Sequence, residues 1–198
     1  MVTFLRNGFL ELKYTAFDVD GVVLDIVTPF LQLLYKRYGY NFTESDVTEF
    51  DFNSCLGVPN KIIEELLMEL TIEPFLLHIR PYTNAEIILN YLSRIEPLLF
   101  ITSRPSSLPI EILFQNALPT IQNDRYTILA AGSGANKIDY LNKFNRCFLI
   151  EDNLDTCILL ERHGFRPIVF DQPWNRQESN LVRVRGWVEL GELFGIKI

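Results

Sequence analysis

Apolar positions along this chain follow two rhythms, and the changes between them mark its elements. Largely apolar runs occupy residues 14–17, 98–102, 126–131, 147–150 and 166–170. Runs of four to six residues bounded by Gly or polar residues predict strands buried in a parallel sheet. Between the runs, apolar residues recur three or four apart. Phe30, Leu33, Leu34 and Tyr38 predict a helix that opens near Thr28 and Pro29 and closes at Gly39. Ile62, Ile63, Leu66, Leu67 and Leu70 predict a second behind Pro59, and Ala85, Ile88, Leu89 and Leu92 a third over 84–95. Further helices are predicted over 108–114, 136–144, 153–163 and 187–194, with Gly164 as a C-cap. Weaker signals are a hairpin turn at Asn7-Gly8, a near capping box at Thr43 and Asp46, a short helix or turn over 73–80 and an extended piece over 181–184.

From residue 97 onward strand and helix alternate, the pattern of right-handed crossovers in a parallel sheet. Residues 26–81 read as helical with no convincing strand. The expected architecture is therefore α/β: a parallel core from residues 1–25 and 82–198, and a helical subdomain, 26–81, inserted after the first strand. Ligands of doubly wound sheets sit outside the carboxyl ends of the strands. The first strand runs into YTAFDVDGVVLD, residues 14–25, which puts Asp18 at the strand tip, Asp20 just beyond it and Gly21 where the chain turns away. Two carboxylates this close repel, and burial makes that worse unless something positive joins them. A hard divalent cation such as Mg2+, held by oxygen ligands, answers the problem. The same residues also suit a solvated acidic loop after an ordinary strand.

Composition narrows the partners. The 198 residues are 48% apolar, with 15 Phe and 8 Tyr, enough for a substantial core. The net charge of −7 argues against gripping long nucleic acids, which needs clustered Lys and Arg, but leaves room for a small phosphorylated substrate. Cys55, Cys147 and Cys157 form no C-x-x-C pair, and the last two fall in apolar runs, so buried thiols in a reducing, cytoplasmic compartment are expected. No apolar stretch approaches a membrane span, and residues 1–12 lack the marks of a signal peptide. His78 and His163 suggest no transition-metal site; His163 suits a helix C-terminus. Nothing in the pattern sets the oligomeric state.

Three further strand ends carry polar residues on the same sheet edge: Thr102, Ser103 and Arg104; Lys137 in the first turn of the following helix; and Glu151 with Asp152. Each alone suits an exposed loop. Together they supply a nucleophile, an acid/base, donors to phosphate oxygens, a compensating cation and a metal ligand, the parts that phosphoryl transfer needs. DVDGV at 18–22, ITSR at 101–104, Lys137 and FLIED at 148–152 resemble the four motifs of the haloacid-dehalogenase-like phosphohydrolases. DVDGVVLD, PWN at 173–175 and RVRGW at 183–187 resemble the 5'(3')-deoxyribonucleotidases and bacterial nucleotidase-like members.

The resemblance implies a Rossmann-like core with a small helical cap inserted after the first motif, and a Mg2+-dependent phosphomonoesterase acting on nucleoside or deoxynucleoside monophosphates. Asp18 would attack phosphorus, and Asp20 would protonate the leaving oxygen and then deprotonate water. Thr102 and the Ser103 N–H would hold phosphoryl oxygens, Lys137 would neutralise charge, and Asp18, the Asp20 carbonyl and Asp152 would bind the metal. Glu151 stands where many members have Asp or Gly, which leaves open whether Glu151 or Asp152 touches the metal directly; Asp155 is another outer-shell candidate. Arg104 stands where the deoxyribonucleotidases tend to have Pro, and either contacts substrate phosphate or pairs with a neighbouring acid. Phe30, Tyr35, Phe50 and Phe52 are candidate base contacts from the cap, though aromatics at helical spacing also build cores. Trp174 is expected near water at a sheet edge or site rim, and Asp25 as a brace of the motif loop or cap hinge. The alternatives are a phosphatase of a sugar phosphate or other metabolite, a weakly active phosphate-binding regulatory module, and a nucleic-acid end phosphatase.

Overall fold

The structure is a computed structural model that describes residues 5–6, 8–71 and 79–197. A short antiparallel hairpin, β1 (Leu5–Arg6) with β2 (Phe9–Leu10), leads in. It matches the expected turn, of which Asn7 lies outside the described residues. β3 (Thr15–Phe17) is followed by β4 (Leu24–Asp25), which pairs antiparallel with β5 (Arg80–Pro81). β6 (Leu98–Thr102), β7 (Tyr126–Ala130), β8 (Phe148–Glu151), β9 (Arg166–Phe170) and β10 (Val182–Val184) complete the strands. The main sheet is parallel throughout, in the order β10-β9-β8-β3-β6-β7.

This order places the site. The chain runs from β3 outward through β6 to β7, then crosses back to β8 and proceeds outward the other way. Where the order reverses, beside β3, the connections diverge and leave a crevice at the carboxyl ends of β3, β6 and β8. These three strands are buried along their whole length, and their side chains alternate between two cores. Phe17, Phe100 and Ile150 face the helices Ala85–Ile95, Leu108–Ala117 and Trp187–Leu193. Ala16, Leu99, Ile101 and Leu149 face the helices Lys137–Lys143 and Leu154–Arg162.

Residues between β4 and β5 include α1 (Val27–Tyr38), α2 (Phe52–Cys55) and α3 (Asn60–Leu70). Phe30, Leu34, Phe52, Ile63 and Leu66 close around a separate apolar cluster, which Trp174 from the loop after β9 also enters. Each such large apolar side chain contributes about 1.5–3 kcal/mol on burial, so Trp174 joins this cluster to the loops of the sheet.

Four details depart from the sequence reading. The segment thought to lack strands ends in β5, because Arg80 and Pro81 pair with Asp25 and Leu24. The turn after Thr43 is one 3-10 turn, Glu44–Asp46, although the capping bonds are present. Helix Leu108–Ala117 runs three residues past its expected end, and Cys147 is half-buried rather than buried. His78 and residues 73–78 lie outside the described residues. No helix among those described is long and apolar enough to cross a membrane.

Candidate active site

The loop after β3 is held open by its own backbone. The Asp18 N–H donates to Ile150 O on β8 at 2.8 Å, which fixes the first carboxylate against the neighbouring strand. Val19 O accepts from the N–H groups of Val23 and Leu24, and the Gly21 N–H donates to Leu24 O. Gly21 takes a φ of +77°, where a Cβ is strained, and a Cβ there would also collide with Asp152 Oδ2. The loop is anchored from behind: Trp187 Nε1–H donates to Val22 O at 2.9 Å, and Gln172 Nε2–H to Gly21 O at 2.7 Å.

β8 delivers Glu151 and Asp152 beside Asp18. One carboxylate oxygen from each of the three lies within 4.8 Å of the others, and all three residues are buried. Lys137, only 1% exposed, places Nζ 2.7 Å from Glu151 Oε2 and 2.9 Å from Asp18 Oδ1. The contact to Asp18 is an ion pair poorly aligned as a hydrogen bond, and Oδ1 has no hydrogen-bond partner among the described residues. Glu151 Oε1 accepts from the Asn153 N–H at 3.1 Å, just ahead of helix Leu154–Arg162, where backbone donors favour a negative charge.

The charges of this cluster do not balance. Three carboxylates against one ammonium leave a formal charge of −2 in a buried place. Burial pushes the Asp18 and Asp152 carboxyls well above the ordinary carboxylate range, and the neighbouring charge of Glu151 adds to the effect. Burial would weaken the hold of Lys137 on its proton, but Asp18 and Glu151 outweigh it and keep the ammonium raised. A divalent cation matches both the charge deficit and the all-oxygen donor set, so the residues fit one.

The DQPWNR loop has a job that its sequence did not disclose. Trp174 is buried, and its Nε1–H donates to Asp152 Oδ2 at 2.9 Å. Trp174 lines a cavity over these groups, as expected of a residue at the site rim, but its N–H finds a carboxylate rather than water. Asn175 Nδ2–H reaches Asp152 O at 2.7 Å and Phe170 O at 2.8 Å, and Arg183 holds Asn175 in turn. Asp152 is thus oriented at its side chain and at its backbone.

A cavity of about 520 Å³ opens over these groups. Asp18, Asp20, Thr102, Ser103, Arg104, Glu151 and Asp152 line its floor, and Val27, Phe50, Asp51, Phe52 and Leu67 line it from the helical segment. Lys137 lies behind the carboxylates, outside the lining. Thr102 is buried, with Oγ1 accepting the Arg104 N–H at 3.1 Å. Arg104 pairs with Asp20 itself, Nε to Oδ2 at 2.7 Å and Nη2 to Oδ1 at 2.8 Å.

Some candidates fall elsewhere. Asp155 is exposed and belongs neither to the carboxylate cluster nor to the lining. Of the four cap aromatics, Phe50 and Phe52 line the cavity. Phe30 is fully buried against Phe52, ring centroids 4.7 Å apart, and Tyr35, 60% exposed, borders a shallow groove beside Asn41 and Phe42 instead. Asp25 caps α1, accepting the N–H groups of Val27 and Thr28. Sequence reasoning missed Thr156 and Gly134 in the wall, where a Cβ on Gly134 would strike Thr156 Oγ1.

Gly21→Ala is expected to displace the Asp152 carboxylate and to lower stability by about 1–3 kcal/mol, from a left-handed φ and a steric clash together. Urea unfolding and a divalent-cation titration of the variant check both effects.

No protein-family model matches the chain. It is 25% identical over 193 residues to a nucleotidase of Clostridium acetobutylicum, covering 94% of each protein. Among solved structures it superposes on the L-2-haloacid dehalogenase of Xanthobacter autotrophicus with chloropropionic acid covalently bound, at a TM-score of 0.61 and 13% identity, over 92% of this chain and 98% of that one. A Bacillus subtilis haloacid-dehalogenase-like hydrolase bound to magnesium matches at a TM-score of 0.58 and 16% identity, over 92% and 98%. The chain therefore has the haloacid-dehalogenase-like fold, a parallel Rossmann-like core with helical insertions.

Proposed function

We propose that this protein is a Mg2+-dependent phosphomonoesterase that hydrolyses nucleoside or deoxynucleoside monophosphates through an aspartyl-phosphate. The observation that carries the reading is the buried Asp18–Glu151–Asp152 cluster, backed by Lys137, at the floor of a cavity at the sheet's switch point. The fold alone does not choose a reaction. A net negative site meeting an anionic phosphoryl group does demand a cation, and the donor set is built for one.

Asp18, Asp152 and the Asp20 carbonyl would hold Mg2+, with Glu151 as the bridge between metal site and Lys137. When bound, Mg2+ would neutralise the phosphoryl group and the repulsion among the carboxylates. An Asp18 oxygen attacks phosphorus, the bond to the leaving oxygen breaks, and Asp20 supplies the proton that makes the leaving group an alcohol. Water then attacks phosphorus, Asp20 takes its proton, and the Asp18–phosphorus bond breaks to release inorganic phosphate. The hydroxyl of Thr102 and the Ser103 N–H serve the non-bridging oxygens, and Lys137 offsets charge beside the nucleophile. The segment between β4 and β5, with α1, α2 and α3, acts as the cap that excludes water and meets the leaving group.

The nucleotide assignment is supported by the likeness to the Clostridium nucleotidase and by Phe50. This ring lines the cavity yet is 55% exposed, which suits a surface on which a base can stack rather than a core position. The test is phosphate release from ribo- and deoxyribonucleoside monophosphates, sugar phosphates and p-nitrophenyl phosphate, with Mg2+ and with excess EDTA. Metal-dependent turnover of nucleotides, lost in EDTA, is the expected result. Turnover confined to sugar phosphates would discard the substrate class but keep the chemistry, and no turnover of any ester would sink the reading.

A further inference from the structure

Arg104 holds Asp20 in a grip that the chemistry of Asp20 cannot use. Its Nε and Nη2 donate to the two different oxygens of one carboxylate, at 2.7 and 2.8 Å. To give a proton to a leaving oxygen, or take one from water, Asp20 must turn at least one oxygen towards the substrate. The fork takes one lone pair on each oxygen and fixes the plane of the carboxylate, which keeps it from turning to a leaving oxygen or a water. The third guanidinium nitrogen, Nη1, is buried and makes no hydrogen bond among the described residues, so the cation has donor capacity that the clamp leaves unused. Arg104 lines the cavity beside Thr102 and Ser103, and only 11% of its side chain is exposed.

We infer that Arg104 is exchanged between two anions during turnover: it clamps Asp20 in the arrangement seen here, and an arriving phosphoryl group draws it away and frees Asp20 to act. The inference rests on the reading of Asp20 as acid/base given above. Nη1, buried and unpaired while the clamp is closed, becomes a further donor to the phosphoryl oxygens once the guanidinium turns away from Asp20. A dianion with three oxygens then outcompetes a monoanionic carboxylate for the fork, whose geometry suits phosphate as well as it suits carboxylate. The clamp also neutralises a fourth carboxylate beside Asp18, Glu151 and Asp152, so Asp20 adds no further negative charge to the cluster.

The alternative roles of Arg104 predict different kinetics. Arg104→Ala is compared with the unsubstituted protein on a nucleoside monophosphate, whose leaving oxygen needs a proton, and on p-nitrophenyl phosphate, whose leaving group departs without one. Exchange predicts that KM rises about tenfold or more for both, while the ratio of their kcat values stays within about threefold, because Asp20 works free of Arg104. A selective fall in kcat for the nucleotide would overturn the inference, since Arg104 would then be steering Asp20 throughout turnover. Unchanged KM for both would overturn it too, leaving the pair merely structural.

Binding of inorganic phosphate, measured by calorimetry with Mg2+ present, reads the same contact without turnover. It is expected to weaken about tenfold or more in Arg104→Ala; equal affinity in the two proteins, or no binding by either, would count against the exchange. A protein that binds phosphate in this Arg104-dependent way yet hydrolyses no ester would fail the proposed function and keep the Arg104 contact. Arg104→Lys, which retains the charge without the fork, guards against misfolding. It should keep a native circular-dichroism spectrum and recover only part of the phosphate affinity, and full recovery would exclude a role for the fork.

Discussion

Asp18→Asn is expected to abolish turnover and, in the metal-free protein, to raise stability. The two effects have one cause. Asp18 is buried beside Glu151 and Asp152, and one lysine answers three carboxylates. Removing a nucleophile that acts within a set lowers kcat by about 10⁴-fold or more, so phosphate release should fall to the background of the assay. The amide also removes one negative charge from a cluster that carries a formal −2. The sign of the pH dependence follows from the direction of the shift. Burial and the charge of Glu151 place the folded-state value of Asp18 above its ordinary 3.8. The folded protein therefore binds this proton more tightly than the unfolded chain does. Its contribution to stability is fully present below the ordinary value and is lost as pH climbs through the raised one. Asparagine carries no such loss. Melting in EDTA at a series of pH values should show the variant gaining on the unsubstituted protein as pH rises, and Mg2+ should narrow the gap. A variant that melts lower than its parent at every pH would contradict the charge deficit.

Much of this site was legible before any coordinates, and the residues that were not share a reason. Asp18, Thr102, Lys137 and Asp152 each sit at or just after the end of a strand or in the first turn of a helix, positions that periodicity and punctuation mark locally. The parallel order then brings those ends to one edge. What periodicity cannot supply is the partner of a side chain. Arg104 and Asp20 are 84 positions apart, and the sequence could say only that the arginine meets phosphate or an acid. Trp174 advertised an indole N–H in want of an acceptor, but the acceptor is a carboxylate from another loop.

The cap aromatics show the same limit in rotational form. Phe30 and Tyr35 lie on the same helix, five positions apart, and face a core and solvent respectively. Phe50 and Phe52 reach the cavity from a broken stretch with no periodicity to read. The β4–β5 ribbon is two residues long and contains a proline, too short for any alternation to register. Asp155 follows Asp152 by three positions, a spacing that would share a helix face. Asp152 precedes the helix, however, and Asp155 is left on its exposed first turn.

Lys137→Met tests whether the same cluster is held by the lysine or merely tolerates it. The side chain is buried to 1% exposure between two carboxylates, and methionine fills a similar volume without a charge. Removing one partner of a buried ion pair leaves an uncompensated charge, and such changes cost about 3–5 kcal/mol. Here three carboxylates would face one another with no ion-paired lysine or arginine among the described residues, so urea unfolding in EDTA should register a loss at least that large. Added Mg2+ should restore part of it, because the metal supplies charge at the same cluster. Catalysis should not follow stability back. With Mg2+ present and the fold recovered, kcat is still expected to lie about 10²–10³-fold below that of the parent, the loss typical of one electrostatic donor at a reacting centre. The double variant Lys137→Met with Asp18→Asn separates the roles: it should regain stability over Lys137→Met alone and regain no activity. If Asp18→Asn raised stability no more in the Lys137→Met background than in the unsubstituted protein, Asp18 and Lys137 would be independent, and the charge balance at the floor of the site would not be what holds it together.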